Sequence, residues 1–322
     1  MKIRFPFIKK RKSIESEQDG CKLKILSLFD GISCGRVALE RAGIPVDRYV
    51  AYEIEPNAIK ISEKNYPQIE HCGDVTKADF TQYQGFDLLI GGSPCQSLSI
   101  VQSKTRQHLD GKSKLFFEFV RAFEEVKPRW FLFENVASMS EESKQVISEL
   151  LGCDPVFIDS KHFSAQERPR YYWTNIPVVA NVPSNNKVLN DILIPNEQVP
   201  QKYWYGSHIP IDDIDMTKQV CGTLVHKNHE MHKRLFNPDF KCHTLTCVSG
   251  GNQQKKVLVK LYGMYGDYTY AARKLTPLEY ERLQTLPDNY TEGVSDGARY
   301  TACGNGWTVD AIAFILKGLK DQ

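Results

Sequence analysis

An α/β fold with a mostly parallel sheet is what this sequence predicts, and three features carry the prediction. Short apolar runs at 24–29, 48–52, 86–90 and 129–133 have the length of buried strands, and helical patterns separate them. Each run leads into a small or acidic residue, at Asp30-Gly31, Glu53, Gly91-Gly92 and Glu134. That is the edge where an open parallel sheet places its chemistry. Thirdly, the composition changes near Pro177. Residues 178–270 hold prolines, asparagines and short β-like pieces around 199–205, 220–225, 243–248 and 257–261, without a long amphipathic helix. They read as a second, smaller domain inserted before the chain returns to helix.

Bulk properties narrow the function. Hydrophobic residues make up 41% and charged residues 25% of the 322 positions, a balance that supplies a sizeable core and one large domain or two. A net charge of +2 excludes a uniformly basic polyanion binder, so any affinity for nucleic acid must come from local patches. No apolar run approaches the ~18 residues of a membrane span, and no membrane partner is expected. Residues 1–22 read as a basic, disordered tail, with Lys2, Arg4, Lys9, Lys10, Arg11 and Lys12 around a short apolar run unlike a signal-peptide core. It is either solvated or a contact for nucleic-acid backbone. Nine cysteines, an odd count without a CxxC pair, favour a reducing intracellular compartment, the cytoplasm, or the nucleus in a eukaryote.

Taken in order, the first apolar run enters Asp30-Gly31-Ile32-Ser33-Cys34-Gly35, and a helical pattern with Val37, Leu39 and Ala42 stops at Gly43. Strand, glycine turn and helix open a nucleotide-binding unit, although the spacing is not GxGxxG. Gly31 and Gly35 let a ligand approach the backbone, and the helix N-terminus favours an anion. Glu53 ends the second strand roughly 20 residues later, where related folds hold ribose hydroxyls. A helix from Pro56 to Tyr66 follows, then Gly73-Asp74-Val75, in which Asp74 either accepts from a ligand amino group or closes a turn.

The stretch Gly91-Gly92-Ser93-Pro94-Cys95-Gln96-Ser97-Leu98-Ser99 puts a cysteine beyond a strand end, next to a residue with fixed φ. It is a presented thiol or a small cysteine at a turn. Phe116, Phe119, Val120 and Phe123 form a core-facing helical stripe. Glu134 stands at the end of an apolar strand; burial favours the protonated form of a carboxylic acid, so it reads as an acid partner for the cysteine. In the extended segment 166–170, alternation puts Gln166, Arg168 and Arg170 on one face. The small domain mixes basic residues with Tyr203, Trp204 and Tyr205, which suits phosphate contact and base readout. His226, His229 and His232 with nearby cysteines lack standard ligand spacing, so no metal is expected. Thr276-Pro277-Leu278-Glu279 combines an N-cap, a first-turn proline and a capping-box glutamate. Gly304-Asn305-Gly306-Trp307 precedes a closing amphipathic helix.

Together these residues resemble the DNA (cytosine-5)-methyltransferases. The ordered matches are Phe29-Asp30-Gly31-x-Ser33-x-Gly35, Glu53, Gly73-Asp74-Val75, Gly92-Ser93-Pro94-Cys95-Gln96-x-Leu98-Ser99, Glu134-Asn135-Val136, Gln166-x-Arg168-x-Arg170, Arg273-Lys274-Leu275-Thr276-Pro277 and Gly304-Asn305. They span 24–319. Stretches 46–49, 98–101, 115–119 and 132–136 resemble the vertebrate de novo branch, whereas Gln96 and the closing Gly-Asn-Gly-Trp resemble bacterial and phage members, the source we favour. The implied fold is a Rossmann-like, S-adenosylmethionine-dependent methyltransferase domain (23–177 and 271–322) with a mixed, mostly parallel sheet. A small, irregular β-rich target-recognition domain (178–270) accompanies it.

The resemblance implies transfer of a methyl group to carbon 5 of a cytosine flipped out of double-stranded DNA. Cys95 would add to carbon 6, Glu134 would support protonation at ring nitrogen 3, Arg170 would hold the cytosine oxygen and Arg168 would steady the cysteine region. S-adenosylmethionine, leaving as S-adenosylhomocysteine, would sit against Phe29, Asp30, Gly31, Ser33 and Gly35. Glu53 would meet its ribose, Asp74 and Val75 its adenine, with Ile54, Pro94, Leu115 and Asn305 nearby. Ile54 stands where many relatives carry an aromatic, and Leu98 where many bacterial members carry phenylalanine. Ser97, Ser99, Thr244, Leu245, Gly250 and Gly251 would face the DNA. A monomer is expected, with a restriction endonuclease as a possible companion. A transfer-RNA cytosine-5 methyltransferase and an inactive DNA-binding relative are the alternatives. The intact set Cys95, Glu134 and Arg170 speaks against the latter, and the absence of a resolving cysteine beside Cys95 speaks against a thiol oxidoreductase.

Overall fold

Alternation along the apolar runs decides the architecture. In β1 (Leu23–Leu28), β4 (Leu88–Gly91) and β5 (Trp130–Val136), neighbouring residues enter different cores. Ile25, Leu88, Ile90 and Leu132 face one, while Leu26, Leu28, Leu89, Phe131 and Phe133 face the other. Strands buried on both faces need helices on both faces. The first core is closed by α1 (Cys34–Arg41) and α7 (Val309–Leu316) through Val37, Ala38, Ile312 and Ile315. The second is closed by α3 (Lys114–Val126) and α4 (Glu141–Leu151). Phe116 and Phe119 of α3 are fully buried against Phe133, and Phe123 packs on Phe131, as the stripe predicts.

The computed structural model describes residues 22–93, 114–179, 181–206, 209–225, 229–248, 250 and 252–320. The expected tail, apart from Lys22, and Pro94, Cys95, Ser97, Ser99 and Gly251 lie outside the described residues. No helix among the described residues is long and apolar enough to cross a membrane.

The main sheet has seven strands. With β2 (Val46–Tyr52), β3 (Glu70–His71), β6 (Val156–Asp159) and β8 (Pro169–Thr174), its order is β3-β2-β1-β4-β5-β8-β6. The first five pair in parallel, and β8 runs antiparallel between β5 and β6. The helix α2 (Pro56–Asn65) starts as expected, with proline in its first turn and Glu55 accepting from Ala58 N.

A second sheet of five strands follows the order β14-β13-β11-β10-β9. These are β9 (Ile211–Asp212), β10 (Val220–Leu224), β11 (Arg234–Phe236), β13 (Lys256–Tyr262) and β14 (Tyr268–Lys274). Cys221, Leu224, Leu235, Leu258 and Ala272 make its own small core, while Phe236, Val257 and Val259 join the main one. Three expectations need correction. The division at 270/271 falls inside β14, because antiparallel pairing with β13 continues to Lys274. The piece at 199–205 is built around a short 3-10 turn, Gln201–Tyr203, and its β character is confined to an isolated antiparallel bridge from Trp204 to Arg273. Of 243–248, only His243 is paired, in β12 (Cys242–His243), and β12 joins β7 (Gln166–Glu167) rather than the small sheet.

The return to helix is set by one buried cluster. Thr276 and Glu279 form the predicted capping box of α5 (Pro277–Leu283). Glu279 also receives two bonds from Arg273, at 2.9 and 2.7 Å, with both side chains fully buried. The end of the small sheet is thereby locked to the start of the closing helices.

Lys256 is fully buried opposite Lys274 and donates to the carbonyls of Asn252 and Gln254, at 2.6 and 2.8 Å. Burial, then the nearby Lys274 and Lys255, lowers its pKa to about 7. A lysine whose folded pKa lies below its unfolded one binds fewer protons folded, so stability rises with pH through the window between them. From pH 7 to pH 9 the unfolding free energy should rise by roughly 1–2 kcal/mol more in the native chain than in Lys256→Met. Denaturant titrations at both pH values measure this, and identical pH dependence in the two proteins would exclude Lys256 as the group responsible.

Candidate active site at the carboxyl edge of the sheet

A cavity of about 810 Å³ opens where the parallel strands end, a volume suited to a small-molecule ligand. Its first wall is the turn after β1. Phe29, Gly31 and Ser33 all take left-handed backbone conformations, with φ of 57°, 60° and 59°. Two of the three carry side chains for which that region is unfavourable. The turn is held by Asp30, which accepts from the hydroxyls of Ser27 (2.6 Å), Tyr49 (2.7 Å) and Ser33. Burial raises the Asp30 pKa, and these donors oppose the rise. Glu53 supports the same turn: its Oε2 accepts from Gly31 N at 2.8 Å, and its Oε1 accepts from Ile54 N and Glu55 N.

Most of the expected ligand residues meet here. Phe29, Asp30, Gly31, Glu53, Ile54, Asp74, Val75, Leu115 and Asn305 all line the cavity. Ile54 is 70% exposed on its wall. Asp74 spends Oδ1 on Thr76, whose backbone and hydroxyl donors lower its pKa. Ser33 and Gly35 do not belong to the lining. Ser33 is buried behind it, bonded to Asp30 and Ser62. A Cβ at Gly35 would lie 2.5 Å from Ile90 Cδ1 and 3.1 Å from the Tyr49 hydroxyl. That glycine therefore serves helix-on-sheet packing rather than ligand approach.

The second wall carries the polar chemistry. Parallel pairing between β4 and β5 ends at Gly91 and Phe133, so Glu134 projects beyond β4. Tyr172 lies opposite Glu134 and Arg170 opposite Val136, which makes Glu134 and Arg170 a diagonal cross-strand pair. Arg170 Nε lies 2.7 Å from Glu134 Oε1, an ion pair that is off the line of the N–H bond. Trp307 Nε1 donates to Glu134 Oε2 at 3.1 Å. Gly92 closes the third side, since a Cβ there would lie 2.8 Å from Glu134 Oε2. Trp307 is a site residue to which sequence reasoning gave no role; its motif reads as a glycine turn before the last helix that could complete a binding site.

Arg168 does different work. Its guanidinium is buried and donates to the carbonyls of Leu245, Gly304 and Gly306, each at 3.0 Å. Burial lowers its pKa to about 10, so it remains a cation at neutral pH. Gln166, on the same segment, donates to Leu283 O and Gln284 Oε1 and accepts from Leu245 N at 2.9 Å.

These bonds correct the expectation for Leu245. Its side chain is buried in the main core and its backbone is engaged on both sides, so it anchors the segment and does not face DNA. Thr244 is partly buried, with its hydroxyl on Glu167 O at 2.7 Å. Gly250 is exposed with φ 117°. Among the described cysteines, Cys34 and Cys247 line the cavity; burial pushes the Cys34 thiol up to about 12 and leaves it protonated. Cys247 donates to Asn305 Oδ1 at 2.6 Å. Among the described residues no group of three or more His, Cys, Asp or Glu is placed to hold a metal ion.

A parallel-rich sheet with a nucleotide-sized cavity at its carboxyl edge, bordered by a glutamate and two arginines, defines an α/β enzyme-like site. A model of C-5 cytosine-specific DNA methylases matches residues 23–321, and the chain belongs to that family. The orphan methyltransferase M.SPRI of Bacillus phage SPR is 34% identical over 163 residues, 47% of this chain and only 37% of the phage protein. The type II methyltransferase M.HpaII of Haemophilus parainfluenzae is 27% identical over 340 residues, 94% of this chain and 90% of that protein. The crystal structure of the S. pombe Dnmt2 methyltransferase shares the fold, with a TM-score of 0.68 over 93% of this chain and 99% of that one, at 20% identity.

The crowding at Gly92 has a measurable consequence. Gly92→Ala should displace Glu134 and lower any methyl transfer by about tenfold or more, while the fold stays intact within ~1 kcal/mol. Turnover and denaturant unfolding, measured side by side, check it. Wild-type turnover would show that the carboxylate tolerates the intrusion.

Proposed function

We propose that this protein transfers a methyl group from S-adenosylmethionine to carbon 5 of cytosine in duplex DNA, through a covalent adduct of Cys95. The observation that carries the reading is the Glu134–Arg170 pair at the mouth of the cavity, one acid and one fixed cation beside the strand end that leads into Cys95. The cavity residues fit the methyl donor chemically. Glu53 Oε2 keeps a lone pair for a ribose hydroxyl beyond its bond to Gly31. Asp74 Oδ2, with only Lys77 at 4.0 Å, is free to accept from an amino group. Ile54 and Leu115 supply apolar surface for a purine ring. When bound, S-adenosylmethionine supplies an electrophilic methyl group.

The chain's own residues account for the remaining chemistry. The Cys95 thiolate forms a bond to carbon 6 of the flipped base, and ring nitrogen 3 gains a proton from Glu134 as negative charge builds. Carbon 5 thereby becomes nucleophilic enough to accept the methyl group. Loss of the carbon 5 proton to a base then breaks the bond to Cys95, and the proton on nitrogen 3 returns to Glu134. Arg170 holds the carbonyl oxygen of the cytosine. Arg168 holds the frame in which Arg170 and the closing turn sit. The small sheet, with Thr244 and Gly250 at its junction to the main domain, forms the target-recognition domain. Water must be kept from the adduct, and the base enters by leaving the duplex.

Two variants test this. Cys95→Ser should abolish methyl transfer while binding S-adenosylmethionine as the native protein does, by calorimetry. Glu134→Gln should slow transfer by about a hundredfold or more. Expression in a methylation-free bacterial host, followed by bisulfite sequencing, should show protected cytosines in one short motif. Their absence, with methyl transfer to RNA instead, would replace DNA as the substrate.

A further inference from the structure

We infer that Trp307 is a positioning residue for Glu134, fixing the carboxylate orientation from which that group meets the target base. The inference rests on the reading of Glu134 as the acid at ring nitrogen 3. A glutamate has three rotatable bonds, and only a small part of its rotamer space presents an oxygen to an incoming ring. Three contacts restrict Glu134 here. Arg170 Nε stands 2.7 Å from Oε1, Trp307 Nε1 donates to Oε2 at 3.1 Å, and the Gly92 backbone leaves no room for a β-carbon beside Oε2. Arg170 is assigned to the base itself, and its Nε lies off the line of a hydrogen bond to Oε1. The indole is the donor left to hold the acid.

Indole nitrogen suits this task. It donates and never accepts, so it supports only an oxygen that serves as an acceptor, and its donor state does not change with pH. Trp307 is itself well fixed. It follows Gly306, whose carbonyl receives Arg168 and Gln284, and it precedes Thr308, whose hydroxyl bonds Gln284. Its ring lines the cavity, and the far edge reaches towards Gly35, where an added β-carbon would stand 3.5 Å from Cζ3. One side chain therefore forms a wall of the donor cavity and also holds the acid at the base site.

The test is a double-mutant cycle of Trp307→Phe and Glu134→Gln, read by single-turnover methylation of a defined duplex, with cofactor affinity and unfolding midpoints measured in parallel. Phenylalanine keeps a ring on the cavity wall and removes only the donor. Trp307→Phe should cut the single-turnover rate by about 10- to 100-fold and shift cofactor Kd by less than about threefold. In the Glu134→Gln background the same change should cost less than about threefold, because the group it positions is already gone. Additive losses across the cycle, or a loss expressed only in cofactor Kd, would each overturn the inference. A Glu134→Gln enzyme as fast as wild type would instead overturn the reading of Glu134, and the inference with it.

Discussion

The site depends first on one buried cation. Arg168 lies inside the protein and, among the described residues, faces no carboxylate within bonding distance; its charge is stabilised by three carbonyl dipoles, those of Leu245, Gly304 and Gly306. Two of them belong to the end of α6 (Asp296–Asn305) and the turn after it, where the helix concentrates negative potential. Gln166 and Gln284 complete the network, with Gln284 reaching the carbonyls of Cys303 and Gly306. Sheet, closing helices and the segment after β12 are thus tied at a single point. A buried network of this kind is strong only when every member is satisfied. Removing the guanidinium would take a donor from three carbonyls and leave Gly306 O with Gln284 alone, and lysine could not span them with one ammonium.

On the opposite wall the constraint is backbone strain rather than charge. Alternate residues of the turn at 29–33 are held left-handed, which costs free energy that the unfolded chain does not bear. Asp30 from within holds the turn with three hydrogen bonds, and Glu53 from the next strand with one, its other oxygen held by Ile54 N and Glu55 N. Glu53 therefore has a structural duty independent of any ligand. A carboxylate that orders the turn and also borders the cavity is pre-organised, and ordering it costs nothing further when the cavity is filled.

Much of this was legible in the sequence, and the reasons differ by feature. The strands could be read because both of their faces are buried and their apolar runs are nearly unbroken. The α5 start could be read because a capping box is local chemistry. Glu53, Asp74 and Asn305 could be placed because each sits at a fixed offset from a turn. What could not be read was tertiary. Gly35 looks like a ligand glycine but is required by Ile90 on a strand some fifty residues away in order of magnitude. Leu245 looks like part of a DNA-facing loop, yet a two-residue pairing with β7 draws its segment inwards. Trp307 carries no motif of its own for an acid 173 residues distant, and only the folded chain brings them together.

The direction of one strand explains why the acid and the arginines meet at all. Glu134 lies near the end of β5, and Arg168 and Arg170 lie at the beginning of β8. Had β8 been parallel to its neighbours, its start would lie at the opposite edge of the sheet, more than a strand's length, roughly 17–20 Å, from Glu134. Antiparallel insertion between β5 and β6 brings that start to the carboxyl edge, in register with Val136. A short connection then suffices, from Asp159 through one 3-10 turn at Ser160–His162 to Gln166. Asp159 accepts from Arg168 N at 2.8 Å and fixes the point where the strand begins. The mixed sheet is thus a requirement of the site: a carboxylate from a strand's end and guanidinium groups from a strand's start can share one edge only if the two strands oppose each other.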